Sequence, residues 1–99
     1  MVVDHELNEL RREFLDEARE KVVEMQGALD ALDGEALERV AYLAHQLKGS
    51  GGSYGYQRIS TDAAELEKCV ESSSPDETRI QQFVVSLRGE IDRAAKELG

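Results

Sequence analysis

The chain has 99 residues, of which 33% are charged and only 5% aromatic, and its 21 acidic against 12 basic residues give a net charge of −9. A chain of this size buries one core, and so acidic a surface repels nucleic acid and anionic lipid. No apolar run reaches the ~20 residues of a membrane span, and a single cysteine excludes a disulfide framework. We therefore expect one domain over residues 1–99, in the cytoplasm and without nucleic-acid or membrane partners. We also expect a monomer.

The first predicted element is a long amphipathic helix over residues 5–32. Apolar residues recur at steps of three and four, and the positions between them are mostly charged, which is typical of a helix with one face in the core. Asp33 and Gly34 follow as a stop signal, since glycine accepts the left-handed backbone that ends many helices. The predicted core stripe consists of Leu7, Leu10, Phe14, Ala18, Val22, Met25, Leu29 and Leu32.

The second predicted helix runs from Glu35 to Tyr54 or Gly55 and is rich in glycine. A glycine inside a helix costs about 1 kcal/mol relative to alanine. Four of the chain's eight glycines lie between residues 49 and 55, so their presence requires an explanation. The stretch from Arg39 to Thr61 also contains no Asp or Glu. The predicted core side of this helix consists of Leu37, Val40, Ala44, Leu47, Gly51 and Tyr54.

The third predicted helix ends in a run of serines, and the fourth has the clearest start signal of the chain. Ser74 at the N-cap, Pro75 at the first helical position and Glu77 at the third form a capping box. No segment alternates with the period of two that a strand shows. Four helices with short connections pack as an antiparallel up-down four-helix bundle, so the predicted fold class is all-α. The third helix is predicted to bury Ile59, Ala63, Leu66, Cys69 and Val70, and the fourth Ile80, Phe83, Val84, Leu87, Ile91, Ala94, Ala95 and Leu98.

A helical wheel places His45 outside the core of the second helix. His45 lies about 140° from the centre of the core stripe, Gly52 about 120°, Gly49 about 180° and Lys48 about 80°. An exposed imidazole beside bare backbone, with a cation one turn away and no neighbouring carboxylate, is suited to transient phosphorylation. Neutral imidazole is a good nucleophile at about pH 7. The residues indicate His45 as phosphoacceptor, Lys48 beside it and Ser50 as a further polar contact.

Other site chemistries fit these residues less well. Lys48 precedes the glycines, whereas in a phosphate-binding loop the lysine follows them, and the stretch follows a helix instead of a strand. A metal site needs more His or Cys than His45 on that face, and His5 lies far away in the sequence. A Ser/His/Asp triad stays open, although no serine lies on a strand-to-helix elbow. We expect neither a metal nor a cofactor of the chain's own.

The stretch from His45 to Ser50, H-Q-L-K-G-S, followed by small residues and Gly55, resembles the H-x-L-K-G-S…G signature of histidine-containing phosphotransfer (HPt) domains. Residues 14–18, F-L-D-E-A, are similar to the F-x-x-E-A segment that these domains often carry in their first helix. Ile59 and Leu66-Glu67 also fit the pattern of this family. The resemblance covers nearly the whole chain.

The resemblance implies a four-helix bundle that accepts a phosphoryl group on His45 from a receiver-domain Asp or a kinase and passes it to another receiver-domain Asp. Such a protein is a relay intermediate and not an enzyme, and the receiver supplies the Mg²⁺. Lys48 would hold the phosphoryl oxygens, and Leu47 would anchor the helix in the core. Some members place a Gln of the next helix against the histidine; here Glu67 lies near that place and Gln57 earlier. The implied partner contacts are Gln46, Gly49, Ser50 and Gly52.

Two other functions stay open from the sequence. One is a structural adaptor that binds a partner through the glycine-rich face without phosphate chemistry. The other is the phosphotransfer module of a chemotaxis-type histidine kinase, whose ATP-binding domain is a separate unit. An initiating Met1 and a helix that ends at Gly99 favour a free-standing protein.

Overall fold

Four α-helices make up the part of the chain that the computed structural model describes, residues 2–31 and 34–98, with the backbone alone for residues 2–5. Within that part there is no strand, and the predicted all-α bundle is confirmed. None of the described helices is long and apolar enough to cross a membrane. Leu32, Asp33 and the side chain of His5 lie outside the described residues. The helices are α1 (Val2–Asp30), α2 (Ala36–Ser53), α3 (Gln57–Glu71) and α4 (Glu77–Leu98).

Each helix packs against two neighbours, in the cyclic order α1, α2, α3, α4, and the contact between α2 and α3 is the most extensive. An ion pair joins Arg19 to Asp92, and Arg88 donates a hydrogen bond to Gln26 at 2.9 Å, so α1 and α4 run antiparallel. The core is mainly aliphatic, as the composition predicts. Its fully buried large side chains are Leu15, Val22, Met25, Val40, Leu47, Ile59, Leu66, Ile80, Val84, Leu87 and Ile91.

The predicted core stripe of α1 is wrong at its first two positions. Leu7 and Leu10 are 37% and 48% exposed, and the buried part of α1 begins at Phe14. Phe14 stacks on Tyr54 and Tyr56 of the α2–α3 connection, with ring centroids 4.9 and 5.7 Å apart. This connection closes one end of the bundle. The first turns of α1 extend past it, so no described helix covers Leu7 or Leu10.

The turn after α2 confirms the predicted end of that helix. Tyr54 is the C-cap residue, and Gly55 has a φ angle of +85°. Only glycine adopts that left-handed conformation without strain. The turn lets the Tyr56 N–H donate to the Gly51 carbonyl at 2.8 Å. The chain thus reverses within a few residues, and α3 packs back along α2.

The predicted capping box of α4 is wrong, because Asp76 caps this helix. α4 begins at Glu77, and Asp76 Oδ1 accepts hydrogen bonds from the backbone N–H groups of Thr78 at 3.0 Å and Arg79 at 3.3 Å. A carboxylate both satisfies these donors and places a negative charge at the positive end of the helix dipole. It therefore displaces the hydroxyl of Ser74, two residues earlier, from the capping role.

Replacing Asp76 with Ala is expected to lower the free energy of unfolding by about 1 kcal/mol, because two N–H groups lose their acceptor. Ser74→Ala is the matched control, since that hydroxyl caps nothing in α4, and it should change the stability by less than about 0.5 kcal/mol. Chemical denaturation of both variants and the wild type measures the difference. Equal losses from the two substitutions would contradict Asp76 as the cap.

Candidate functional site

α2 and α3 lie in close contact at Gly51, a buried glycine of α2. A Cβ atom at Gly51 would lie 3.1 Å from the backbone nitrogen of Ser60 and 3.4 Å from the side chain of Ile59. A hydrogen bond reinforces the crossing, since Ser60 Oγ donates to the Lys48 carbonyl oxygen at 2.8 Å. The missing side chain at Gly51 thus lets α3 lie close enough to α2 for side chains of the two helices to meet around His45.

The predicted orientation of His45 is confirmed. Its side chain is 66% exposed, whereas Val40, Ala44 and Leu47 on the opposite side of α2 are buried. Leu43 is buried as well, so the core stripe of α2 is wider than predicted. The imidazole therefore projects from the bundle on a helix that is firmly anchored from behind.

A carboxylate lies directly against the imidazole, and the expectation of a carboxylate-free neighbourhood is wrong. Glu67 of α3 places Oε2 2.9 Å from His45 Nδ1, and its Oε1 accepts a hydrogen bond from Lys48 Nζ at 3.1 Å. Residues 39–61 contain no acidic residue of their own, but an acidic side chain from another helix lies beside them. Antiparallel packing brings Glu67 in from the neighbouring helix, at the place that the resemblance indicated for it.

The electrostatics of Glu67 determine which ring nitrogen of a neutral His45 imidazole carries the proton. Burial raises the pKa of Glu67, whose side chain is 16% exposed, but hydrogen bonds and charges from Lys48 and His45 hold that pKa below its ordinary value of 4.5. Glu67 is therefore ionised at neutral pH and acts only as an acceptor. Nδ1 is then the donor, which leaves the lone pair of a neutral imidazole on Nε2. Among the described residues, Nε2 has no hydrogen-bond partner.

Lys48 lies on the flank of α2, as predicted, with its side chain 41% exposed. Residues three apart on a helix share a side, so Lys48 and His45 reach the same carboxylate. The sequence did not indicate that the ammonium group is already paired with Glu67 at 3.1 Å. One carboxylate thus holds both the imidazole and the cation.

The two glycines predicted to leave room for a partner are both exposed. Gly49 and Gly52 are exposed on the face of α2 that carries His45. A Cβ atom at Gly49 would meet nothing within 4 Å, and one at Gly52 would meet only Ser60 Oγ at 3.6 Å. The surface beside the imidazole is therefore open and unobstructed.

Three other predicted residues do not join the imidazole. Gln46 is half-buried and donates from Nε2 to the hydroxyl of Tyr42 at 3.0 Å. Ser50 is half-buried and lies about 140° around α2 from His45, away from α3. Gln57 is exposed at the first position of α3, and Glu67 occupies the place beside the histidine.

Sequence reasoning missed two residues near the site. Ser60 gave no signal, because one polar residue on an amphipathic helix is ordinary and its contact with α2 depends on the packing. The sequence did contain a signal for Tyr42. On the helical wheel Tyr42 lies about 60° from His45, so an aromatic ring lies on the polar face of the helix. Cys69, predicted to be buried, is half-buried and free.

The arrangement of His45 and Glu67 is suited to an imidazole that acts as a nucleophile. A carboxylate that holds Nδ1–H fixes the ring and its tautomer, and it stabilises the positive charge that develops when Nε2 attacks. No group of three or more His, Cys, Asp or Glu suited to a metal occurs within the described ranges. Bundle and site define a class of protein: a four-helix module that presents an exposed histidine, His45, held by a carboxylate of the neighbouring helix.

Comparison with known proteins identifies the family. The family model of the Hpt domain matches residues 9–97, nearly the whole chain. The chain belongs to the Hpt domain family, which acts in histidine phosphotransfer in two-component systems. No curated protein and no solved structure matches the chain significantly.

The lowered pKa of Glu67 predicts a pH-dependent stability. Because the pKa in the folded state lies below 4.5, the stabilisation is fully present above pH 4.5 and is lost as the pH falls through the folded value. At neutral pH, we expect the wild type to have a higher free energy of unfolding than Glu67→Gln. This difference should be smaller in acid, at a pH below the folded-state pKa of Glu67. Denaturation curves of both proteins at the two pH values measure this. A difference that does not change with pH would contradict the ionised contact.

Proposed function

We propose that this protein is a phosphorelay intermediate that accepts a phosphoryl group on Nε2 of His45 from a receiver-domain Asp or a kinase, and passes it to another receiver-domain Asp. One observation carries the proposal: Glu67 holds Nδ1 at 2.9 Å while the His45 side chain remains 66% exposed. This geometry supports Nε2 as the nucleophile, because Nδ1 is engaged by the carboxylate. Membership of the Hpt domain family supports the same chemistry.

The proposed transfer begins with attack of the Nε2 lone pair of His45 on the phosphorus of the receiver's aspartyl phosphate. A P–N bond forms as the bond between phosphorus and the aspartate oxygen breaks, and the Asp carboxylate leaves with the electron pair. The proton on Nδ1 stays in place, so the phosphorylated ring is cationic. Glu67 stabilises that cation through the charge-assisted hydrogen bond. Attack by a second receiver's Asp reverses these steps and returns the ring to its neutral form.

Lys48 supplies the countercharge for the phosphoryl oxygens in this mechanism. In the unphosphorylated protein its ammonium group is paired with Glu67 at 3.1 Å, on a flexible and partly exposed side chain. A phosphoryl group on Nε2 offers stronger acceptor oxygens nearby. Lys48 then moves from Oε1 toward the phosphoryl group, while Glu67 remains with the imidazolium.

We infer that the protein uses no nucleotide or metal of its own and that the receiver brings the Mg²⁺ and its acidic pocket. The bare backbone at Gly49 and Gly52 leaves room for that pocket to approach the ring. A relay protein must release one partner before it meets the next, which favours a monomer with a small, short-lived interface. The cytoplasm, where receivers and kinase domains work, is the expected compartment.

Phosphoryl transfer from receiver domains tests this proposal directly. The protein is mixed with radiolabelled phosphorylated receivers encoded in the same genome, and acid-labile, base-stable phosphate on the protein is measured. The label should be absent from His45→Gln and unchanged in the matched control His5→Gln, which removes the other histidine of the chain. Equal labelling of His45→Gln would falsify the proposal. A structural adaptor would take no label from any receiver, even as wild type.

A further inference from the structure

Tyr42 is the one exposed aromatic side chain among the described residues, with 56% of its surface accessible. It lies on α2 one turn before His45 and about 60° around the helix, so both side chains project from the same face. The remaining large exposed apolar side chains lie on α1 and α4: Leu7, Leu10, Val23 and Val85. Across α2 and α3, the surface around His45 therefore carries a single large apolar group.

The ring of Tyr42 is held in place and bordered by empty space. Gln46 Nε2 donates a hydrogen bond to the Tyr42 hydroxyl at 3.0 Å. This hydrogen bond restricts the rotation of the ring. Tyr42 lines two surface clefts between α1 and α2, of about 600 and 280 Å³, and Arg39 lines both as well. A partner can therefore enclose the ring from more than one side without moving the bundle.

A protein that brings a phosphoryl group to His45 covers Tyr42 at the same time. Small, transient interfaces bury up to about 600 Å² per partner, which corresponds to a disc of roughly 14 Å radius. Side chains one turn apart on a helix are separated by only about 5–6 Å. Burial of an aromatic ring that is already oriented loses little conformational entropy, which is one reason why Tyr is enriched among residues that dominate binding energy.

We propose that Tyr42 is the main recognition contact for the receiver domain, inserting its ring into an apolar pocket beside the receiver's phosphorylated Asp. This inference rests on the proposed function and names the residue that sets affinity for the partner. Tyr42 takes no part in the bond changes at Nε2. Its removal should therefore affect how tightly the receiver binds and not how fast the bound complex reacts.

The test uses a receiver that labels the wild type and compares Tyr42→Ala with the matched control Val85→Ala, which removes an equally exposed apolar side chain on α4. The transfer rate is measured against receiver concentration. Tyr42→Ala should raise the concentration for half-maximal rate about tenfold or more, with the maximal rate retained. Val85→Ala should behave as wild type. Phosphoramidate, a small donor that needs no protein interface, should label His45 equally in both variants.

The outcomes separate this inference from the proposed function. If Tyr42→Ala and wild type need the same receiver concentration, Tyr42 is not the recognition contact, although His45 remains the acceptor. A lowered maximal rate, or loss of labelling by phosphoramidate, would show that Tyr42 acts on the chemistry and would overturn the inference as well. If no receiver labels the wild type, the proposed function fails and this inference fails with it.

Discussion

Substitution of Glu67 by Ala is expected to lower the maximal rate of phosphoryl transfer to His45 by about 100-fold. Without the carboxylate at 2.9 Å from Nδ1, the ring is free to rotate and to place its proton on either nitrogen. The developing imidazolium also loses its countercharge. Both losses act on the reaction itself, so the concentration of receiver needed for half-maximal rate should change little.

Glu67→Gln separates the two contributions of the carboxylate. A glutamine oxygen still accepts the hydrogen bond from Nδ1 of His45 and preserves the tautomer, but it carries no charge for the imidazolium. Hydrogen bonds to charged groups are about twice as strong as neutral ones, so this variant should lose about tenfold in rate. Glu67→Gln should therefore fall between the wild type and Glu67→Ala.

Glu65→Ala is the matched control for both variants, since Glu65 lies on the same helix and pairs with Lys68 instead of the imidazole. Its transfer rate should equal that of the wild type. Nitrogen NMR of the imidazole supplies a readout that a loss of stability alone does not move: the proton should reside on Nδ1 in wild type and Glu67→Gln, and be shared between both nitrogens in Glu67→Ala. A single tautomer in all three proteins would contradict the positioning role of Glu67.

The sequence was sufficient for the helices and most of the core, because helical periodicity is a local property that each segment displays by itself. The sequence was insufficient where contacts with other parts of the chain determine which residues are buried or cap a helix. Leu7 and Leu10 continue the apolar stripe of α1, but only the lengths of the other helices determine where the bundle ends. At the start of α4, Asp76 lies two residues after the predicted cap Ser74, and its carboxylate, not the Ser74 hydroxyl, accepts hydrogen bonds from the first-turn N–H groups.

The candidate site was likewise predictable from the sequence only where it depends on a single helix. The orientation of His45 follows from the wheel of one helix, and the open surface at Gly49 follows from the glycine itself. The contact with Glu67 spans 22 residues of sequence and depends on the spacing and register of two helices. A count of charges along the chain could not reveal it, and that count led to the wrong expectation of a site without carboxylates. The contact that holds the imidazole of His45 is a tertiary property.

Gly51 sets the geometry of that contact, and Gly51→Leu is expected to lower the free energy of unfolding by about 3 kcal/mol. A Cβ atom at this position already lies 3.1 Å from the backbone nitrogen of Ser60, and backbone cannot swing aside as a side chain can. A leucine there forces α3 away from α2. The displacement also weakens the hydrogen bond from Ser60 to the Lys48 carbonyl, which links the helices beside the site.

Gly49→Leu is the matched control, because it introduces the same side chain into the same helix two residues earlier. A Cβ atom at Gly49 meets nothing within 4 Å, so the only effect on folding is the higher helix propensity of leucine, which adds up to about 1 kcal/mol of stability. Chemical denaturation of the two variants should therefore show changes of opposite sign. Equal changes would mean that the α2–α3 crossing tolerates a side chain.

Substitutions at Gly49 and Gly51 should also affect phosphoryl transfer, for different reasons. Gly49→Leu keeps the bundle and the contact between His45 and Glu67, yet its side chain stands where a receiver must approach, so transfer from receivers falls while labelling by phosphoramidate persists. The smaller substitution Gly51→Ala, which adds only the Cβ atom, should slow labelling by both donors, because it separates the helices that hold the imidazole. If phosphoramidate labels Gly51→Ala as fast as wild type, the close crossing serves stability alone and does not position the reactive ring.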